Sequence, residues 1–166
     1  GDNNLISDNY IGILIDGETD AGNGHSGIHV VNSANNQIGE PGPFPSNYIA
    51  SNGNWIGGAN VYIENETSYG NRIQGNVIGP LPDGTPAVVS TGILLDGARN
   101  NLIGGNTGDH GNLISGNTVG VMVTGLGSID NHIQGNVIGL NATGDAPLSN
   151  SDGGILISDQ AVGTLI

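Results

Sequence analysis

Asn71-Arg72-Ile73-Gln74-Gly75-Asn76-Val77-Ile78-Gly79 returns sixty residues later as Asn131-His132-Ile133-Gln134-Gly135-Asn136-Val137-Ile138-Gly139, and midway between them stands Asn101-Leu102-Ile103-Gly104-Gly105-Asn106. The unit is about thirty residues long. Its core phrase, N-x-I-x-[G/S/D]-N, opens at Asn4, Asn47, Asn71, Asn101, Asn112 and Asn131. A second phrase, G-[I/V]-x-[I/V/L], recurs at Gly12, Gly27, Gly92, Gly120 and Gly154, with Asn60-Val61-Tyr62-Ile63 as a variant. A repeated unit of this size builds its core by stacking copies of itself.

Inside each unit the apolar residues fall in short runs with period-two alternation, rich in Ile and Val and bounded by Gly, Asn, Asp and Pro. Those are strand and turn signals, and no window carries a helical period. Short parallel strands recurring once per coil describe an all-β, β-solenoid chain of roughly five and a half turns, about 26 Å long at the ~4.8 Å strand spacing. Ile73, Ile103 and Ile133 are expected to stack inward as an aliphatic ladder, each worth roughly 1.5–3 kcal/mol when fully buried. The Asn residues that bracket them belong at the bends, where Asn tolerates a left-handed backbone and can bond the Asn one coil above. Gly75, Gly105, Gly116 and Gly135 fit the same corners. The inserts at residues 80–91 and 140–153 follow the same V-I-G phrase and precede the same G-I-L phrase, so they should leave one side of the rod.

One Trp, one Phe and four Tyr cannot fill a thick core, whereas 31 Gly suit many tight turns. With no Cys, thiol and disulfide chemistry are excluded. No apolar stretch reaches membrane-spanning length, and no signal peptide is visible, so the chain reads as a processed or excised segment. Fifteen acids face only two bases, Arg72 and Arg99, for a net charge of -13. That balance argues against nucleic acid and anionic membrane surfaces as partners, because both need cations to neutralise phosphate.

The order N-x-I-x-G-N-x-I-G, polar loop, G-I-L-[L/I], N-N-x-I-G-G, G-N-x-I-S-G-N resembles the Asn- and Gly-rich parallel β-helix repeats of large bacterial surface and secreted proteins. The resemblance covers nearly the whole chain, is strongest from Asn71 to Ile157 and weakens between Gly17 and Ser46. It implies the right-handed parallel β-helix shared with pectin lyases. It implies function poorly, since that fold hosts lyases, hydrolases, epimerases, adhesins and phage fibres.

Polysaccharide cleavage is the enzymatic reading that this resemblance suggests, and the sequence offers no signature for it. Asp109-His110 and Asp130 near His132 form no paired-acid pattern of the glycosidase kind; Gly24-His25-Ser26 only partly echoes the polygalacturonase G-H-G element, and the Asp-Asp pair is missing. Arg72 occupies a position taken by Leu102 and His132 in sister copies, which makes it a surface strand residue. Catalytic residues and cofactors are therefore expected to be none, apart from calcium. Asp16, Glu18 and Asp20 in the loop at 16–23 alternate oxygen ligands with glycines as a calcium loop would, yet they lack EF-hand spacing and a terminal bidentate Glu, which favours an exposed acidic turn over a calcium site. His25 and His29 are the only close histidine pair and share no helical face. Asn65-Glu66-Thr67 and Asn141-Ala142-Thr143 match the glycosylation sequon. The Thr residues do not recur in phase, which removes an ice-binding rank.

Neither end shows a helix or a charged cap. Gly1 to Ser7 matches His110 to Ser115, and Gly163 to Ile166 matches Asn100 to Ile103, which leaves about five residues between the end of one copy and the start of the next. Residues 1–166 are expected to be one solenoid domain, part of a longer solenoid or filament, with Leu5, Ile6, Leu165 and Ile166 meeting at a head-to-tail junction. The functional expectation is an extracellular or cell-surface structural protein that associates with itself and does not insert into membranes. The alternative is a carbohydrate-active enzyme or polysaccharide-binding module.

Overall fold

The computed structural model describes residues 1–16, 19, 21–43, 45–53, 57–87 and 90–166. It is an all-β parallel solenoid of three five-stranded sheets. Each coil crosses the first sheet (Leu5–Ile6, Gln37–Ile38, Arg72–Ile73, Leu102–Gly104, His132–Gln134) and then the middle sheet (Tyr10–Ile11, Tyr48–Ile49, Val77–Ile78, Leu113–Ile114, Val137–Ile138). It closes through the third (Ile28–Val31, Ala59–Glu64, Thr91–Asp96, Val119–Thr124, Gly153–Ile157). A sixth rung begins where Leu165 bridges to His132. We number coils 1 to 5 by their opening Asn: Asn4, Asn36, Asn71, Asn101 and Asn131. Successive openings lie 32, 35, 30 and 30 residues apart.

The two-residue strands offer one side chain inward and one outward. Inward stands Ile almost without exception: Ile73, Ile103 and Ile133 are in parallel register and at most 3 % exposed, as the sequence requires. The longer third-sheet strands add Val61, Ile63, Ile93, Leu95, Val121 and Val123, all fully buried. A core one aliphatic side chain thick per rung needs no aromatic residue, which accounts for their scarcity.

Three ladders of Asn, buried in the inner coils, hold the corners. The first runs Asn4, Asn36, Asn71, Asn101, Asn131; each Nδ2 donates to the Oδ1 one coil on, at 2.6, 2.7, 3.0 and 3.2 Å. The backbone N–H of each also donates to that same oxygen, which fixes the amide orientation, since an N–H needs an acceptor. The second ladder is Asn9, Asn47, Asn76, Asn112, Asn136. The left-handed backbone falls on the residue before the ladder Asn: Asn3, Asn35, Asn100 and Asp130 have φ of 59°, 57°, 53° and 52°. Bending and bonding, expected of one Asn, are divided between neighbours.

The third ladder, Asn23, Asn52, Asn117, Asn150, lacks a coil-3 member. Asn60 bridges the gap: it accepts from Asn52 at 3.1 Å and donates to Asn117, 57 residues on, at 3.1 Å. It stands in the rank occupied by Gly in the other third-sheet strands, so the variant phrase is the repair of a missing rung. The Gly12 copy of that phrase is no strand of the third sheet; it lies in an insert, with Ile15 94 % exposed.

Inserts alternate. The longest connections follow the middle strand in coils 1, 3 and 5 and precede it in coils 2 and 4; coil 2 also has a longer connection after its middle strand, residues 50–58, than coil 4, residues 115–118. The inserts at 80–90 and 140–149 fold back as antiparallel pairs, Pro80 with Pro86 and Leu140 with Pro147, and leave the same corner as expected. Rungs rise ~4.8 Å, and a chain that folds back on itself is two strands thick, about two rungs. The two folded-back inserts, in coils 3 and 5, stand two rungs apart and satisfy that spacing. The repeated phrase serves two places: from Asn71 to Asn76 it crosses the first sheet, and from Asn112 to Asn117 it crosses the middle one.

The same ambiguity corrects the reading of the ends. Leu5 pairs with Gln37, in the rank of Leu102, and does not share the rank of Leu113. The N-L-I-S words at Asn4 and Asn112 are alike because both follow a corner, but they open different sheets. Leu165 does occupy the expected rank beside His132. Residues 1–6 and 161–166 therefore fill equivalent positions, and the five-residue interval inferred from the sequence is replaced by an overlap.

Candidate binding and assembly surfaces

The inner ladder is open at both ends of these coils. At the first coil, Asn4, Ile6, Ile28, Val30, Ser33 and Asn36 line a concavity of about 270 Å³. At the last, Ile133, Gln134, Ile138, Ile155, Leu165 and Ile166 line one of about 330 Å³. Of the four expected junction residues, Ile6 packs on the core and Ile166 follows Leu165 into the inward rank. Leu5 and Leu165 stand in the outward rank of the first sheet and are about half exposed, at 56 % and 47 %. The ends also differ in polarity, because each ladder Oδ1 accepts from the backbone N–H and Nδ2 of the coil before it: the first coil presents carboxamide oxygens at Asn4 and Asn9, and the last presents backbone N–H groups. At the first-ladder position of the sixth rung stands Thr164, whose hydroxyl is buried without a partner.

The outer face of the middle sheet forms a second surface. Its outward rank is Tyr10, Tyr48, Val77, Leu113 and Val137, one apolar side chain per rung. Tyr10 and Tyr48 stack at 5.4 Å between centroids. Ile13, Leu81 and Ala87 of the later inserts pack beside Tyr48 and Ala50 and raise one wall. The earlier inserts raise the other: Pro43, Pro45 and Asp109 line a 140 Å³ recess over Val77 and Leu113. A 290 Å³ recess spans from Gly108 across Leu113 and Val137 to Thr143 of the opposite wall.

A third group lies on the outer face of the third sheet near the first coil. His29 and Tyr62 are register partners and stack at 4.7 Å; His29 Nε2 lies 2.9 Å from Glu64 Oε2. The Tyr62 hydroxyl donates to Asp96 Oδ2 at 3.3 Å. Burial, followed by the charges of Asp96 and Glu64, pushes the Tyr62 phenol up to about 12, so it remains a donor at neutral pH. Glu64 and Asp96 pair in register, one rung apart. Sequence reading missed this group, although stacking the phrases Gly27-Ile28-His29-Val30-Val31, Asn60-Val61-Tyr62-Ile63-Glu64 and Gly92-Ile93-Leu94-Leu95-Asp96 would have aligned it.

Among the described residues no three His, Cys, Asp or Glu side chains converge as metal ligands. Asp16 accepts from Thr19 N at 3.0 Å and from Thr19 Oγ1 at 2.7 Å. Glu18 and Asp20 lie outside the described residues. The sequon residues are spent in turns: Asn65 Oδ1 accepts from the Thr67 hydroxyl, and Asn141 bonds Asp145. Arg72 is exposed on the first sheet, as its sister positions imply. Compared with protein-family models, with curated proteins and with solved structures, the chain matches none.

Proposed function

We propose that this chain is part of an extracellular structural protein, a fibre, sheath or surface stalk of bacterial type, in which right-handed solenoids of the pectin-lyase-like kind stack head to tail. The observation that carries the reading is that every coil is complementary to the next, in parallel register and with its Asn ladders directed one way along the axis. A coil laid on Ile6 extends the aliphatic stack and meets carboxamide acceptors; a coil laid on Ile138 and Ile155 meets donors, and its residues 1–6 take the rung held by the equivalent residues 161–166, which are displaced. Head-to-head contact would set acceptors against acceptors, which favours a heterologous, non-closing assembly. Repulsion at net -13 opposes stacking at low ionic strength, and salt relieves it.

The test is sedimentation and electron microscopy across salt and protein concentration. Rods should lengthen with both, and Ile6→Asp should abolish growth while circular dichroism stays that of the parent. A strictly monomeric protein at high concentration and salt overturns the reading. A calcium ion on Asp16, Glu18 and Asp20 is a separate proposal, read by a fall in melting temperature on chelation.

The second reading, a carbohydrate-active surface, draws support from Glu64 and Asp96 one rung apart beside His29 and Tyr62. Release of reducing ends from neutral glycans, lost in Glu64→Gln, would establish it.

A further inference from the structure

We infer that the outer face of the middle sheet is a docking groove for an extended, Lys- and Arg-bearing peptide segment of a partner protein. The floor is Tyr10, Tyr48, Leu113 and Val137, with Val77 buried at its middle beneath the recess that Pro43 and Pro45 line, a stripe of about 19 Å at ~4.8 Å per rung, matching roughly six residues of extended chain. The floor offers no hydrogen-bonding side chain except the two phenols. Sugar hydroxyls would be left unpaired on Val and Leu, whereas the aliphatic stems of Lys and Arg lie down on such a surface and send their charges outward.

The rim receives those charges. Each insert that walls the stripe carries carboxylate: Glu40 and Asp109 before the middle sheet, Asp16, Asp83 and Asp145 after it. Neither Arg72 nor Arg99 belongs to an insert; the first faces out from the first sheet and the second lies over Tyr69. An apolar floor between acidic walls selects a cationic amphipathic occupant and repels polyanions. At one end the stacked Tyr10 and Tyr48 rings, with Tyr10 half exposed, offer π faces to a guanidinium or ammonium group.

The probe is a fluorescein-labelled octapeptide alternating Lys with Val, titrated by anisotropy at low and high salt against the whole chain; its Glu–Val counterpart and a labelled neutral glucan oligomer are the comparisons. One variant neutralises the rim (Glu40→Gln, Asp109→Asn, Asp145→Asn). A matched variant removes the same charge from the far side (Asp2→Asn, Asp130→Asn, Asp159→Asn), and Leu113→Ser alters the floor. Each exposed pair is worth a few-fold, so the rim variant should bind roughly tenfold more weakly, with a shallower salt dependence. The far-side variant should bind as the parent does, Leu113→Ser should weaken binding, and the Glu–Val peptide should not bind. Equal weakening by the rim and far-side variants would reduce the effect to the general acidic field and overturn the proposal. So would tighter binding of the glucan than of the Lys–Val peptide, or no binding of that peptide at low salt.

Discussion

Asn76→Ala removes the centre of the second ladder. Asn76 is 2 % exposed, and its Nδ2 donates to Ile38 O at 2.9 Å, Gln74 O at 3.0 Å and Asn112 Oδ1 at 2.9 Å. Its Oδ1 accepts from Asn47 Nδ2 at 2.8 Å, and Asn47 is fully buried. Alanine therefore deprives several enclosed groups of a partner at once. A net hydrogen bond is worth about 1 kcal/mol, and a buried group left unpaired costs about 1–3 kcal/mol. The carbonyls of Ile38 and Gln74 retain part of their bonding in the sheets, which limits the sum to about 3–5 kcal/mol. That is a large share of the ~5–15 kcal/mol available to a domain of this size. Guanidinium unfolding followed by circular dichroism should show the midpoint falling with little change in slope. Asn141→Ala, on an exposed insert, should cost less than about 1 kcal/mol. A loss below about 1 kcal/mol for Asn76→Ala would mean that the ladders ornament a solenoid held by its aliphatic stack alone.

Three further outcomes follow from particular contacts. Asn60→Gly, which restores the consensus residue of that rank, should nevertheless destabilise by about 1–3 kcal/mol, because it unpairs buried Asn52 and Asn117 across the gap in coil 3; the same unfolding assay checks it. Gly116 has φ of 68°, and a Cβ there would meet Pro86 Cβ at 3.4 Å and Leu148 Cγ at 3.8 Å; Gly116→Val should strain the backbone and loosen both flanking inserts, seen as faster proteolysis at residues 80–90 and 140–149. The Asp83, Asp109 and Asp145 carboxyls are held below their ordinary value by the Thr85 amide, the Thr107 hydroxyl and the Thr143 hydroxyl respectively. Their stabilisation is present above the unfolded-state value of about 3.9 and is lost as pH falls through the lower folded values. The Thr85 amide resonance should accordingly move only under acid conditions, while Ile103 in the core stays fixed.

The stack itself was legible because Ile alternates with polar residues between Asn brackets, and a period-two pattern repeated every thirty residues leaves few alternatives. Local words could not say which sheet they open. N-L-I-S reads the same at Asn4 and Asn112, and only the order of the longer segments, set by where a folded-back insert fits between rungs, separates them. Asn60 was visible as a variant, but its bridge spans two coils and depends on an Asn missing elsewhere. The groove on the middle sheet and the His29, Tyr62, Glu64 and Asp96 group come from residues far apart in sequence; each becomes adjacent only once the register is fixed.

Electron microscopy of the protein at rising salt addresses head-to-tail stacking most directly. The account predicts unbranched rods whose lengths are multiples of about 24 Å, five rungs at ~4.8 Å, and which vanish in Ile6→Asp. Particles of one short length at every concentration and ionic strength would contradict it.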